Sequence, residues 1–166
     1  MDAWFRLIEH SSLSTWLRES PSLLAFPGVL TAHTMGMGFL AGTSVLVAVR
    51  LLWFPRDLPI PAMERLFPIV WLSFFVSVVT GVLLVVAYPT KAMTNPLFYI
   101  KLVLVACGVS SIPPIRGYVV HSSGMEPRLT APKGRLLAAT SIALWAATII
   151  AGRLLPYTNS RLFVDR

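Results

Sequence analysis

The sequence predicts an all-α integral membrane protein, a four-helix bundle with an interfacial helix at its N-terminus. Three observations lead there. Of 166 residues, 55% are hydrophobic and only 13% are charged, against roughly 25% charged in soluble domains. The mean hydropathy is +0.72. Four apolar runs, each long enough to cross a bilayer, take up most of the length and leave room for one compact membrane domain.

The remaining composition narrows the function classes. The net charge is +7, but the basic residues lie mainly between apolar runs, where they meet lipid headgroups rather than nucleic acid. Cys107 is the single cysteine, so neither an intramolecular disulfide nor a Cys-based zinc site can form. No Gly-rich phosphate loop, CxxC or HExxH motif is present. Asp2, Glu9, Glu19, Asp57, Glu64, Glu126 and Asp165 all fall outside the expected spans. That argues against a carboxylate-driven ion or proton path across the membrane.

Residues 1–22 mix Trp4, Phe5, Leu7, Ile8, Leu13, Trp16 and Leu17 with charges and serines. The apolar positions gather on one side of a helix, and the two tryptophans suit the interface, so this segment is read as an interfacial amphipathic helix. No signal peptide of the usual shape precedes it, and the first apolar run is expected to serve as an uncleaved targeting signal.

Residues 23–158 form the membrane domain, with spans expected at residues 27–52, 66–87, 97–120 and 135–155, and residues 159–166 form a tail. The first span opens at Pro27, a residue tolerated in a first helical turn. It carries His33, Met35 and Met37, then a Gly38-x-x-x-Gly42 spacing read as a packing ridge. In the second, Ser73, Ser77, Thr80 and Gly81 share one helical stripe. The third opens on Asn95-Pro96, an N-cap followed by proline at N1. It meets Pro113-Pro114 after sixteen residues, 97–112, which is only about 24 Å of rise, so a kink and a continuation to Val120 are expected. In the fourth, Ser141, Trp145, Thr148 and Gly152 form a stripe, and Pro156-Tyr157 is expected to end the helix. Small, weakly polar faces on several spans suit a bundle packed around a shared interior.

Four spans put both termini on one side. Basic residues divide equally between the two sides, but those of the first and third loops crowd the span ends (Arg50, Arg56, Arg65, Arg116, Arg128, Lys133 and Arg135). This density predicts cytoplasmic first and third loops and periplasmic termini.

His33 is the first candidate for chemistry, because ionisable residues inside a membrane are costly and tend to be functional. On a regular helix it shares a face with Gly36, Met37, Leu40 and Ser44, whereas Met35 points the other way. Three readings stay open: a structural hydrogen bond to a neighbouring Ser or Thr, ligation of haem or metal, and proton or quinone chemistry. A b-type haem takes His or Met ligands, yet His121 ends the third span at the opposite face. A partner for His33 would then be Met35, Met37, Met93 or His10. Copper, which suits imidazole and thioether, would use His33 and Met37. Lys101 and Arg153 lie near span ends on the side of His33. They either snorkel or share an anionic ligand there, such as haem propionates or lipid headgroups.

Ser20-Pro21, His33, the run Thr80–Leu84, the run Asn95–Lys101, Trp145 and Gly152-Arg153 together resemble a bacterial family of small four-helix membrane proteins. That family is distantly similar to the copper-resistance protein D group and to b-type cytochrome membrane subunits. The resemblance covers about residues 20–158. It implies a multi-pass protein of the bacterial inner membrane beside other membrane or periplasmic redox subunits, or paired with its own copy. The chain is accordingly read as a non-catalytic subunit of a redox or electron-transfer assembly, anchoring partners and holding one b-type haem near His33 or no cofactor. A copper-handling transporter and a purely structural assembly protein are the alternatives. The chain departs from haem-carrying relatives in lacking paired histidines across its spans.

Overall fold

A computed structural model describes residues 7–52, 60–121 and 132–161. The described residues are almost wholly helical, and four helices are long and apolar enough to cross a membrane: Phe26–Leu52, Ala62–Ala87, Pro96–Val120 and Pro132–Thr158.

The N-terminal helix α1 (Ser12–Glu19) begins where the Ser11 side chain accepts a hydrogen bond from the Ser14 backbone N–H. Its Ser14 hydroxyl donates to the Ala87 carbonyl, and Leu17 is buried beside it, so the helix rests on the end of the second span. Leu13 and Trp16 stay half exposed on the outer side, where an interfacial helix keeps its lipid anchors. Trp4 and Phe5 of the expected amphipathic segment lie outside the described residues.

The first span is α2 (Phe26–Leu52). Its inward face is Gly36, Leu40, Ala41, Ser44, Val47, Ala48 and Leu51. Gly38 and Gly42 lie on the other side, exposed, with nothing within 4 Å of an added Cβ. This corrects the expected packing ridge. From His33, Gly38 and Gly42 are about 140° and 180° round the helix at 100° per residue. The close approach is made by Gly36 instead, where a Cβ would sit 2.7 Å from the Ser77 hydroxyl and 3.3 Å from the Ser73 carbonyl oxygen. Thr31, Thr34 and Thr43 each return their hydroxyl to the carbonyl four residues back, which satisfies a polar group facing lipid.

The second span joins a short lead-in, α3 (Ile60–Glu64), to α4 (Phe67–Ala87), with Pro68 in its first turn. Glu64 therefore falls at its loop end rather than outside it. Ser73, Ser77 and Thr80 are buried, as their stripe predicts. The turn to the third span holds α5 (Pro89–Met93).

The third span is α6 (Pro96–Ser110) followed by α7 (Ile112–His121). Pro113 and Pro114 bring no N–H to the preceding turn. The Ser111 hydroxyl contacts the Gly108 carbonyl at 2.6 Å and the Ser141 hydroxyl of the fourth span at 3.1 Å. Asn95 caps α6 by accepting from the Leu97 N–H, while its amide donates to the Leu155 carbonyl and the Thr158 hydroxyl.

The fourth span is α8 (Pro132–Arg161), which runs through Pro156 rather than ending there. An interior proline costs one hydrogen bond and crowds the carbonyl four residues back. That residue is Gly152, and the turn beyond is held by Asn95 of the third span.

The spans are not packed as equals. The first packs against the second and the fourth, and the fourth against the third. The first and fourth are accordingly the more buried pair. The second and third spans meet chiefly at the loop-side end, through α3 and α7. The apolar core lies in that same half: Leu40, Val47, Leu51, Phe67, Val70, Ile112, Ile115, Val119 and Trp145. The half towards the termini is built differently.

Candidate functional site

Four residues of that second half lie at one depth. His33 is seven residues past Phe26, Gly81 six before Ala87, Lys101 five past Pro96, and Gly152 six before Thr158. At 1.5 Å per residue all four are about 8–10 Å inside the same face. In each antiparallel pair a basic side chain lies across from a glycine. A Cβ on Gly81 would come within 3.2 Å of His33 Cε1, and one on Gly152 within 3.6 Å of Lys101 Cε. The glycines make room for the side chains.

The two basic residues are held in different ways. His33 Nδ1 lies 3.1 Å from the Ser77 carbonyl oxygen and 3.1 Å from the Thr80 hydroxyl. A carbonyl only accepts. The Thr80 hydroxyl places its own proton on the Val76 carbonyl, at 2.6 Å, so towards His33 it also accepts. Both contacts require the proton on Nδ1. Nε2 of the neutral ring therefore carries the lone pair, and no described group hydrogen-bonds to it.

Lys101 has no such anchor. Its stem crosses to the fourth span, with Nζ 3.8 Å from the Gly152 Cβ position. Among the described residues no carboxylate or hydrogen-bond acceptor pairs with this ammonium.

The other expected site residues lie away from these four side chains; Arg153 shares their depth but is exposed. Met37 packs against the apolar core, and Met35 is exposed on the lipid side. Met93 is engaged by Tyr99, whose hydroxyl donates to the Met93 carbonyl at 3.0 Å and lies 3.8 Å from its sulfur. Arg153 and His10 are exposed, and the backbone of His121 ends α7 at the opposite face. Among the described residues no three His, Cys, Asp or Glu side chains gather as a metal-binding group.

Sequence reasoning offered a hydrogen bond from His33 to a neighbouring Ser or Thr, and Thr80 provides it, but the partner was not named. It placed Thr80 and Gly81 on one stripe but did not pair them with the histidine. The signal was available in their shared depth. It also missed a line of buried polar atoms along the interior: Ser77 Oγ, Trp145 Nε1 and Ser44 Oγ have no protein partner. Ser44 and Ser141 line a small cavity of about 10 Å³ with Val47, Phe67, Val70, Ile112 and Ile115, about the size of one water.

No family model, no curated protein and no solved structure matches the chain.

Proposed function

We propose that the protein is a non-catalytic subunit of a redox or electron-transfer assembly in the bacterial inner membrane, with periplasmic termini, and that His33 holds its redox group. One b-type haem is the group favoured. The observation that carries this reading is the fixed tautomer of His33. A histidine that ligates a metal gives its other N–H to a carbonyl or similar acceptor, which sets the ring and presents the opposite nitrogen. His33 has that arrangement on Nδ1, and Nε2 is the nitrogen left to bind. A haem held there would supply one-electron transfer. The chain would contribute one ligand, His33, and its orientation through Ser77 and Thr80. A second axial ligand is not among the described side chains near His33.

Copper is the weaker reading, because its donors do not converge. Met37 faces the core, Met35 faces lipid and Met93 is bound to Tyr99.

The test is an optical spectrum of protein purified from membranes supplied with haem. A reduced b-type band at one haem per chain is expected in the wild type, absent in His33→Ala and present in Lys101→Met. A wild type without that band overturns the haem reading. Cu(I) bound stoichiometrically and lost in His33→Ala would transfer the site to copper.

A further inference from the structure

Lys101 poses a problem that the group at His33 does not solve. Its Nζ is held at the level of Gly152, six residues inside the end of the fourth span. A lysine that snorkels runs its stem towards the nearer interface. This one runs sideways onto a neighbouring helix. Among the described residues no countercharge lies at that depth: the only acidic residue inside a described span is Glu64, at the opposite face. At the terminal face Glu9 is committed to Arg18 and Thr90, and Glu19 ends α1. Pro156 brings no N–H to the Gly152 carbonyl, yet Lys101 makes no hydrogen bond to it. The second and third spans pack together mainly at their loop-side ends, so the terminal half of the seam between them is the more open.

We propose that Lys101 is the fixed charge of an intramembrane oxyanion site, taking the phosphate or carboxylate of an amphiphile that enters from the bilayer between the second and third spans. An isolated ammonium inside a membrane is costly, and an oxyanion both neutralises it and accepts its hydrogen bonds. Gly152 lets the stem lie flat against the fourth span, with Nζ 3.8 Å from where a Cβ would sit. The site stands on Lys101 and Gly152 and is independent of what His33 ligates.

The experiment is native mass spectrometry of delipidated protein in a neutral detergent. The probes are phosphatidylglycerol and oleate, with phosphatidylcholine as the neutral control. One anionic probe is expected to bind per chain, above phosphatidylcholine. Phosphatidylglycerol bound in preference assigns the site to a lipid phosphate, and oleate bound in preference assigns it to a carboxylate. Lys101→Met is expected to weaken binding about tenfold, the scale of one charge-assisted hydrogen bond, while Lys101→Arg retains it. Gly152→Val keeps the charge but displaces the stem, and is expected to weaken binding as well. Anionic probes that bind no better than phosphatidylcholine overturn the proposal, as does unchanged binding in folded Lys101→Met. If Lys101→Met fails to fold by circular dichroism, Gly152→Val decides, and unchanged binding there overturns it. The optical band read on the same samples separates the two sites: lost anion binding with an intact band leaves the reading of His33 standing, and the reverse leaves this one.

Discussion

The loop-side half of the bundle and the half towards the termini are made of the same four helices and obey different rules. In the loop-side half, Leu40, Val47, Leu51, Phe67, Val70, Ile112 and Ile115 interdigitate, all but completely buried. Arg116 lies over the Phe67 ring, 5.8 Å from its centroid, so even a cation there finds a partner. In the terminal half the same depth of helix holds His33, Lys101 and two glycines that make room for them. One half fastens the spans together. The other keeps polar groups in lipid at a cost that packing does not repay. Lipid tails are as apolar as leucine, so close contact and hydrogen bonds hold membrane helices together. A region that gives up contact to house a cation is therefore the better place to look for function.

Substitutions in the two halves should separate them, and the largest effect is expected at Trp145. Its ring is fully buried and lies against Gly108, where a Cβ would come within 3.2 Å. Trp145→Ala should destabilise the bundle by about 3 kcal/mol or more, seen as a large fall in the thermal midpoint in detergent. A shift no larger than that of a surface substitution would place the tryptophan outside the core.

Next in size is the contrast between glycines. Gly36→Leu drives a side chain into Ser77 and the backbone at Ser73 and should cost about 1–3 kcal/mol. Gly38→Leu and Gly42→Leu face open space and should leave monomer stability within about 0.5 kcal/mol. Equal losses at all three positions, measured by the same thermal assay, would reverse the assignment of the inner face.

A smaller effect is expected from Thr80→Val. It removes one of the two acceptors that fix His33 and should cost about 1 kcal/mol. Nitrogen NMR should find the wild-type ring protonated at Nδ1. A ring protonated at Nε2 would remove the basis for ligation at that nitrogen.

The smallest effect belongs to Ser44→Ala. The Ser44 hydroxyl is buried without a protein partner. Its removal should be neutral or slightly stabilising, because an unpaired buried hydroxyl contributes only its desolvation cost. A loss of about 1 kcal/mol or more would instead mean that a bound water in the adjoining cavity completes its hydrogen bonds.

The architecture was legible because a long apolar run has few alternatives in a helical protein. The stripes of Ser73, Ser77 and Thr80, and of Ser141, Trp145 and Thr148, gave the inner faces of two spans by period alone, and all six are buried. Gly38 and Gly42 were misread because their spacing describes a close-packing surface without saying which way it points. The face shared by His33, Gly36, Leu40 and Ser44 already pointed elsewhere. Pro156 was misread because its effect on a helix depends on what supports the next turn, and that support is Asn95, about sixty residues away. His33 was legible as a candidate, but its tautomer depends on a carbonyl and a hydroxyl of another span. The direction of Lys101 was illegible for a simpler reason: a four-carbon stem reaches either the interface or a neighbour, and only the glycine opposite decides.

For a chain made from its N-terminus, Asn95 acts in two stages. Its carboxamide oxygen caps α6 as soon as Leu97 follows it. Its amide nitrogen must wait for Leu155 and Thr158, 60 and 63 residues later. The third span can therefore begin as a helix during synthesis while its outer end stays unclamped. The clamp closes only when the last helix has been delivered into the membrane. A ribosome stalled before Leu155 would leave the third span inserted but not locked, so this asparagine couples the order of synthesis to the completion of the bundle.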